Sequence, residues 1–183
     1  MLTLLIGGAR SGKSALSVRW GRAHELAGGA VQILATAPTS DPSMAGRIER
    51  HRLERPGWPT IEEPHDLPAA LVEANEEALL IVDCLTLWVS NLMQRGDSED
   101  EILDASSRSV AAVHARPGDT VVITNEVGLG IHPRSELGRD YRDLLGRVNC
   151  LFAAASERAL FLVAGRVLQL HDADQFQPGN ERR

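Results

Sequence analysis

Cysteine is scarce in this chain, with only Cys84 and Cys150 among 183 residues. The two lie far apart in apolar surroundings, so buried thiols are expected rather than a disulfide or a metal pair. Basic residues are in the minority as well, 19 against 25 acidic ones for a net charge of −6. That balance argues against a long nucleic-acid partner, which needs clustered Lys and Arg to displace counterions. Local basic patches for phosphates remain compatible with it. No apolar run approaches the roughly 20 residues that span a bilayer. The opening Met1-Leu2-Thr3-Leu4-Leu5-Ile6 runs straight into glycines, with no basic flank or cleavage site. It reads as a strand rather than a signal peptide, and the cytoplasm is the expected location. Repeats and low-complexity stretches are missing. So is the Asn-Lys-x-Asp segment with which regulatory GTPases read guanine, which weakens a GTP-binding switch module as a reading. His24, His65, His114, His132 and His171 lack metal-ligand spacing and are expected on the surface or in packing roles.

What the chain does have is an alternation of short apolar runs with longer amphipathic ones. This predicts an α/β fold, a mostly parallel sheet flanked by helices in a single domain. Strands are expected at residues 2–6, 31–35, 79–83, 120–124 and 160–164, with 167–170 as a possible edge. Each is nearly continuous in apolar residues, as strands covered on both faces are. Helices are expected from the first glycine-rich turn to about residue 26, from Asp41-Pro42 to before Pro56, and over 66–77, 85–95, 99–115 and 135–157. In the last of these, Leu137, Tyr141, Leu144, Leu145, Val148 and Phe152 share one stripe. Trp20 and Trp88 are expected in the core, with Trp58 near a bound ligand. Residues 1–170 should form the domain, and 171–183 a polar C-terminal tail with little order.

Gly7-Gly8-Ala9-Arg10-Ser11-Gly12-Lys13-Ser14 matches the P-loop pattern G-x-x-x-x-G-K-[ST] without a mismatch, between a strand and a helix. Glycines let such a loop curl so that backbone N–H groups point at phosphate oxygens, and the following helix start adds partial positive charge. Lys13 is expected to reach the β- and γ-phosphates, and the Ser14 hydroxyl to help hold Mg²⁺. Asp83 closes the apolar run at 79–83, where a carboxylate would join the Mg²⁺ shell; a strand-ending cap for the next helix is the competing reading. In the helix over 41–55, Arg47, His51 and Arg55 share one face. Two guanidinium groups beside an imidazole suit triphosphate oxygens and favour the neutral, nucleophilic ring. Local sequence alone favours the plainer reading, an exposed Arg-rich helix with an incidental histidine.

Several segments together resemble the bifunctional adenosylcobinamide kinase / adenosylcobinamide-phosphate guanylyltransferase family of cobalamin biosynthesis. They are Gly7 to Ser14, Ala35-Thr36-Ala37, Met44 to Arg52, Arg55-Pro56-Gly57-Trp58 with Glu62, and Asp83-Cys84-Leu85-Thr86 leading to Asn91-Leu92. The series continues with Thr124-Asn125-Glu126-Val127-Gly128-Leu129-Gly130-Ile131, Arg142-Asp143 and Gly146-Arg147-Val148-Asn149. Together they span about residues 2–170. The resemblance implies two reactions: phosphorylation of adenosylcobinamide by GTP or ATP, and transfer of GMP from GTP through a guanylyl-histidine to adenosylcobinamide phosphate. It also implies a homotrimer. By position His51 would carry the GMP, and Ala35, Thr36, Ala37, Arg52, Leu53, Glu54, Arg55, Glu62 and Asp83 match positions that contact the guanine nucleotide. Two departures stand out: Asp83 where some relatives carry glutamate, and Arg50 where a relative carries a second histidine. The segment 124–130 is open to two readings, a structural turn or a contact for the corrinoid or the metal. A simple P-loop kinase for another small hydroxyl compound is the alternative to the two-step enzyme.

Overall fold

Leu2–Gly7 is a strand buried along its whole length, as only an interior strand can be. The computed structural model describes residues 1–37 and 57–176. This strand, β1, lies in a seven-stranded sheet with β2 (Val31–Ala35), β3 (Thr60–Glu62), β4 (Leu79–Asp83), β5 (Thr120–Asn125), β6 (Arg158–Val163) and β7 (Arg166–Leu170). The order is β3-β2-β4-β5-β1-β6-β7, parallel throughout except that β7 runs antiparallel to β6. Five α-helices are described: α1 (Lys13–Leu26), α2 (Leu67–Glu73), α3 (Leu85–Arg95), α4 (Glu99–Ala115) and α5 (Glu136–Ala155). The helix expected over 41–55 lies outside the described residues.

The period-2 alternation of the strands divides the core in two. Leu2 and Leu4 of β1, with Leu34, Leu80, Val82 and Val122, face a layer built from α2, α3, α4 and α5. Leu5 joins Ile33, Ile81, Val121 and Ile123 on the other face, under Leu16 of α1 and Trp58. Helix starts are locally encoded. Asp66 and Ser135 accept from the backbone N–H three residues on, and Ser98 with Glu101 forms a reciprocal capping box. The left-handed Gly96 ends α3.

Several expectations need correcting. β3 was not foreseen: three residues with Ile61 alone apolar give no periodic signal, and the strand exists because it pairs with β2. β6 begins two residues early, because Arg158 and Ala159 pair with Thr3 and Leu4; it stops at Val163, where Ala164 and Gly165 take left-handed φ of 50° and 72° to turn into β7. α2 ends at Glu73, not at residue 77. Buried Arg116 explains the stop, since its guanidinium donates to the carbonyls of Ala74, Asn75 and Ala78 and so turns that segment out of the helix. Leu137 of the expected stripe is exposed, and so is Cys150, whereas Cys84 is half-buried. Trp88 is fully buried and its indole N–H donates to His65 O at 2.8 Å, but Trp20 is only half-buried under the guanidinium of Arg158. Trp58 packs on Gly21 and donates to Glu25, two turns of α1 past the loop. Residues 173–176 form a 3₁₀ turn with nothing buried.

Candidate functional site: a phosphate loop at the carboxyl edge of the sheet

The loop between β1 and α1 is shaped by two glycines. A Cβ on Gly7 would stand 2.3 Å from the Leu162 carbonyl oxygen, so only glycine lets the loop leave the sheet beside β6. Gly12 precedes α1 with φ 106°, and Arg10 at the exposed tip also takes a left-handed φ of 58°. No acidic residue occupies the first turn of α1, so nothing there competes with an anion for its backbone donors. The β6–β7 turn braces the far side, with Gly165 N–H donating to Ser11 O at 2.9 Å.

Lys13 is buried, and its ammonium lies across the loop. It donates to the carbonyls of Gly7 and Gly8, both at 2.7 Å, and to Ser11 Oγ at 3.3 Å. A cation is thus fixed inside the curl of Gly7, Gly8, Ala9, Arg10 and Ser11, one residue ahead of the half-buried Ser14.

Strand register brings other sequence-predicted positions together. Ala35 of β2 is paired with Glu62 of β3 on one side and Asp83 of β4 on the other. Asp83 in turn is level with Ile123 of β5, and two residues further on Asn125 pairs with Gly7. Glu62, Ala35, Asp83 and the phosphate loop therefore occupy one carboxyl edge, where open α/β sheets take ligands. The N-cap position of α3 is Cys84, one residue past Asp83. His51, Arg52, Leu53, Glu54 and Arg55 lie outside the described residues.

A polar network lies beneath this edge, and it gives Thr36, expected as a nucleotide contact, and Thr124 and Asn125, at the start of the segment with two readings, bonds to the protein itself. Thr36 is wholly buried; its hydroxyl donates to Cys84 O at 2.7 Å and accepts from Cys84 N at 2.9 Å. Asn91 of α3 donates to Thr36 O and Pro64 O. The Thr86 hydroxyl accepts from Asn125 N, while Asn149 of α5 accepts from the Thr124 hydroxyl and donates to Asn125 O. Tyr141 donates its phenol to Thr86 O. Burial first, and the Asp83 carboxylate second, push the Cys84 thiol up to about 12, so it stays neutral. The nearby Lys13 ammonium opposes that shift, which places the thiol within electrostatic reach of both charged groups. In sequence these residues showed as polar positions inside apolar elements and as members of the family-like segments, neither of which gives their bonding to one another.

Ser14 and Asp83 offer one hydroxyl and one carboxylate, both hard oxygen donors, at the same edge. Among the described residues no group of three or more His, Cys, Asp or Glu could hold a metal by itself. That donor set fits Mg²⁺, which is usually bound by one or two protein ligands plus phosphate and water, and not a cation needing an all-protein cage.

Fold and loop together define a P-loop NTPase-like α/β protein. The flagellar accessory protein FlaH of Methanocaldococcus jannaschii shares this fold at a TM-score of 0.50 and 13% identity, over 91% of this chain and 74% of that one. The family described as cobinamide kinase / cobinamide phosphate guanyltransferase matches residues 3–170, and the chain belongs to that family. It is 42% identical over 177 residues to the bifunctional adenosylcobalamin biosynthesis protein CobP of Pseudomonas aeruginosa, covering 93% of this chain and 97% of the relative. The bifunctional adenosylcobalamin biosynthesis proteins CobU of Escherichia coli and Salmonella typhimurium are 37% and 36% identical, each over 90% of this chain and 97% of theirs. No described helix is long and apolar enough to cross a membrane.

Proposed function

We propose that this chain phosphorylates adenosylcobinamide and then converts the product to adenosylcobinamide-GDP, with His51 as the carrier of GMP. The observation that carries the reading is the Lys13 ammonium set inside an unmismatched phosphate loop, on the same sheet edge as Asp83, Ala35 and Glu62. Membership of the cobinamide kinase / cobinamide phosphate guanyltransferase family supplies the substrate class.

In the kinase step the acceptor hydroxyl attacks the γ-phosphorus of GTP or ATP. The bond to the β–γ bridging oxygen breaks, the nucleoside diphosphate leaves and the hydroxyl proton goes to solvent. Phosphate oxygens replace the Gly7 and Gly8 carbonyls as partners of Lys13, and the loop N–H groups with the α1 start take up charge that develops on the transferring group. In the second step a neutral His51 ring nitrogen attacks the α-phosphorus of GTP and pyrophosphate leaves. A phosphate oxygen of adenosylcobinamide phosphate then displaces the imidazole, so one difficult transfer becomes two easier ones. Backbone at Ala35 and Ala37, the side chains of Glu62 and Asp83, and the segment Arg52, Leu53, Glu54 and Arg55 hold the guanine nucleotide, with the wholly buried Thr36 behind them. Ser14 and Asp83 would hold Mg²⁺, which when bound neutralises phosphate charge. The working unit is residues 1–170 as a cytoplasmic homotrimer, with 171–183 a dispensable tail.

The test is intact mass after treatment with GTP and Mg²⁺. One added GMP, acid-labile and lost in His51→Ala, is the expected result. Transfer of the γ-phosphoryl group with no covalent nucleotide would leave only a simple small-molecule kinase.

A further inference from the structure

We propose that Thr36 is a positioning residue: its hydroxyl clamps the backbone of Cys84 and thereby sets the Asp83 carboxylate at the phosphate site, without itself touching nucleotide. This rests on the nucleotide chemistry proposed for the same edge and assigns a role within it. Family position would make Thr36 a nucleotide contact. The geometry gives its side chain a different job.

Thr36 follows the last residue of β2 and has no exposed surface. One residue holds three backbone groups across the strand boundary. Its N–H donates to Asp83 O at 3.1 Å, its hydroxyl donates to Cys84 O at 2.7 Å, and the same oxygen accepts from Cys84 N at 2.9 Å. A threonine hydroxyl has a single proton, and that proton is committed to Cys84 O. The clamp is itself held from outside. Asn91, also buried, donates its amide to Thr36 O at 2.8 Å and to Pro64 O at 3.0 Å, tying the end of β2, the chain after β3 and α3 into one unit. Backbone at Asp83 and Cys84 cannot rotate without breaking these bonds, so the direction in which Asp83 leaves the sheet is fixed from Thr36. Groups that orient a metal-binding side chain typically matter about 10- to 100-fold to metal affinity.

The experiment uses the full chain and a fluorescent N-methylanthraniloyl-GTP probe, titrated in Mg²⁺ and in EDTA. Thr36→Val keeps the shape and removes the hydroxyl; Thr36→Ser keeps the hydroxyl. Thr36→Val is expected to bind the probe in EDTA within about twofold of wild type, yet to lose about tenfold of the Mg²⁺-dependent tightening, while Thr36→Ser behaves as wild type. In an Asp83→Asn background, which already lacks the carboxylate, adding Thr36→Val should cause no further loss. An unchanged Mg²⁺ response in Thr36→Val overturns the proposal, and so does an equal loss in the Asp83→Asn background. Should Thr36→Val show no cooperative melting transition, Asn91→Ala decides: a twofold or greater loss of the Mg²⁺ response supports the clamp, and a wild-type response overturns it. A wild-type chain with no Mg²⁺ response at all would remove the proposed site chemistry itself, and this inference with it.

Discussion

Replacing Asn149 by leucine, which has the same branching and number of side-chain heavy atoms, tests whether the polar network under the sheet edge holds the phosphate loop. Asn149 is buried on α5; it accepts from the Thr124 hydroxyl at 2.7 Å and donates to Asn125 O at 3.0 Å. Two hydrogen bonds contribute about 1 kcal/mol each, and the fully buried Thr124 hydroxyl left behind adds a desolvation penalty of about 1–3 kcal/mol, so a loss of about 3–5 kcal/mol is expected. Adding Thr124→Val removes the orphan. The double variant should therefore be more stable than the sum of the single losses by about 1–2 kcal/mol. Urea unfolding of the four proteins, at matched slope, reads these differences. Function should follow, because Asn125 pairs with Gly7 and the next N–H, that of Glu126, donates to Gly7 O at 3.2 Å. Weaker GTP binding is expected in Asn149→Leu. A loss under about 0.5 kcal/mol, or strict additivity of the pair, would refute the reasoning.

Three further outcomes are expected. Gly7→Ala places a methyl 2.3 Å from the Leu162 carbonyl oxygen, which belongs to a strand and cannot yield, so GTP binding should vanish and stability should fall by about 1–3 kcal/mol in urea unfolding. At pH 8, iodoacetamide should modify exposed Cys150 and leave Cys84 untouched until the protein is denatured; mass spectrometry that finds Cys84 labelled first would contradict its half-buried, neutral state. The Cys84 thiol also has a sign in pH. Unfolded, it ionises above its ordinary value of 9.0; folded, it holds its proton to about 12, so stability is fully present below 9 and drains away as pH rises toward 12. Cys84→Ala should therefore lose less stability than wild type between pH 8 and 10, by about 1 kcal/mol; an identical decline in both proteins would show that Cys84 titrates normally.

Local rules were strong wherever one segment settles its own structure. The α3 and α4 boundaries follow from caps written in sequence, the left-handed Gly96 and the Ser98–Glu101 box. The phosphate loop needs a fixed run of residue types between a strand and a helix, so eight adjacent positions carried it. Cys150 was misplaced because apolar neighbours in sequence say nothing about which side of a helix faces outward. It falls one residue after buried Asn149 and on the other side of α5. Trp20 failed for a similar reason, since α1 covers its sheet face alone among the described helices and leaves one flank to Arg158.

From its sequence alone this protein was committed to an α/β fold, a phosphate loop with Lys13 and Ser14, and a family of cobinamide enzymes, because each rests on residues close together in the chain or on the pattern of many segments. Tertiary structure alone decided that Glu62, Ala35 and Asp83 stand abreast, that Gly165 braces Ser11, and that Thr36 turns its hydroxyl inward to Cys84. Those are facts of strand order and register, set by pairing between segments tens of residues apart. No local preference encodes them.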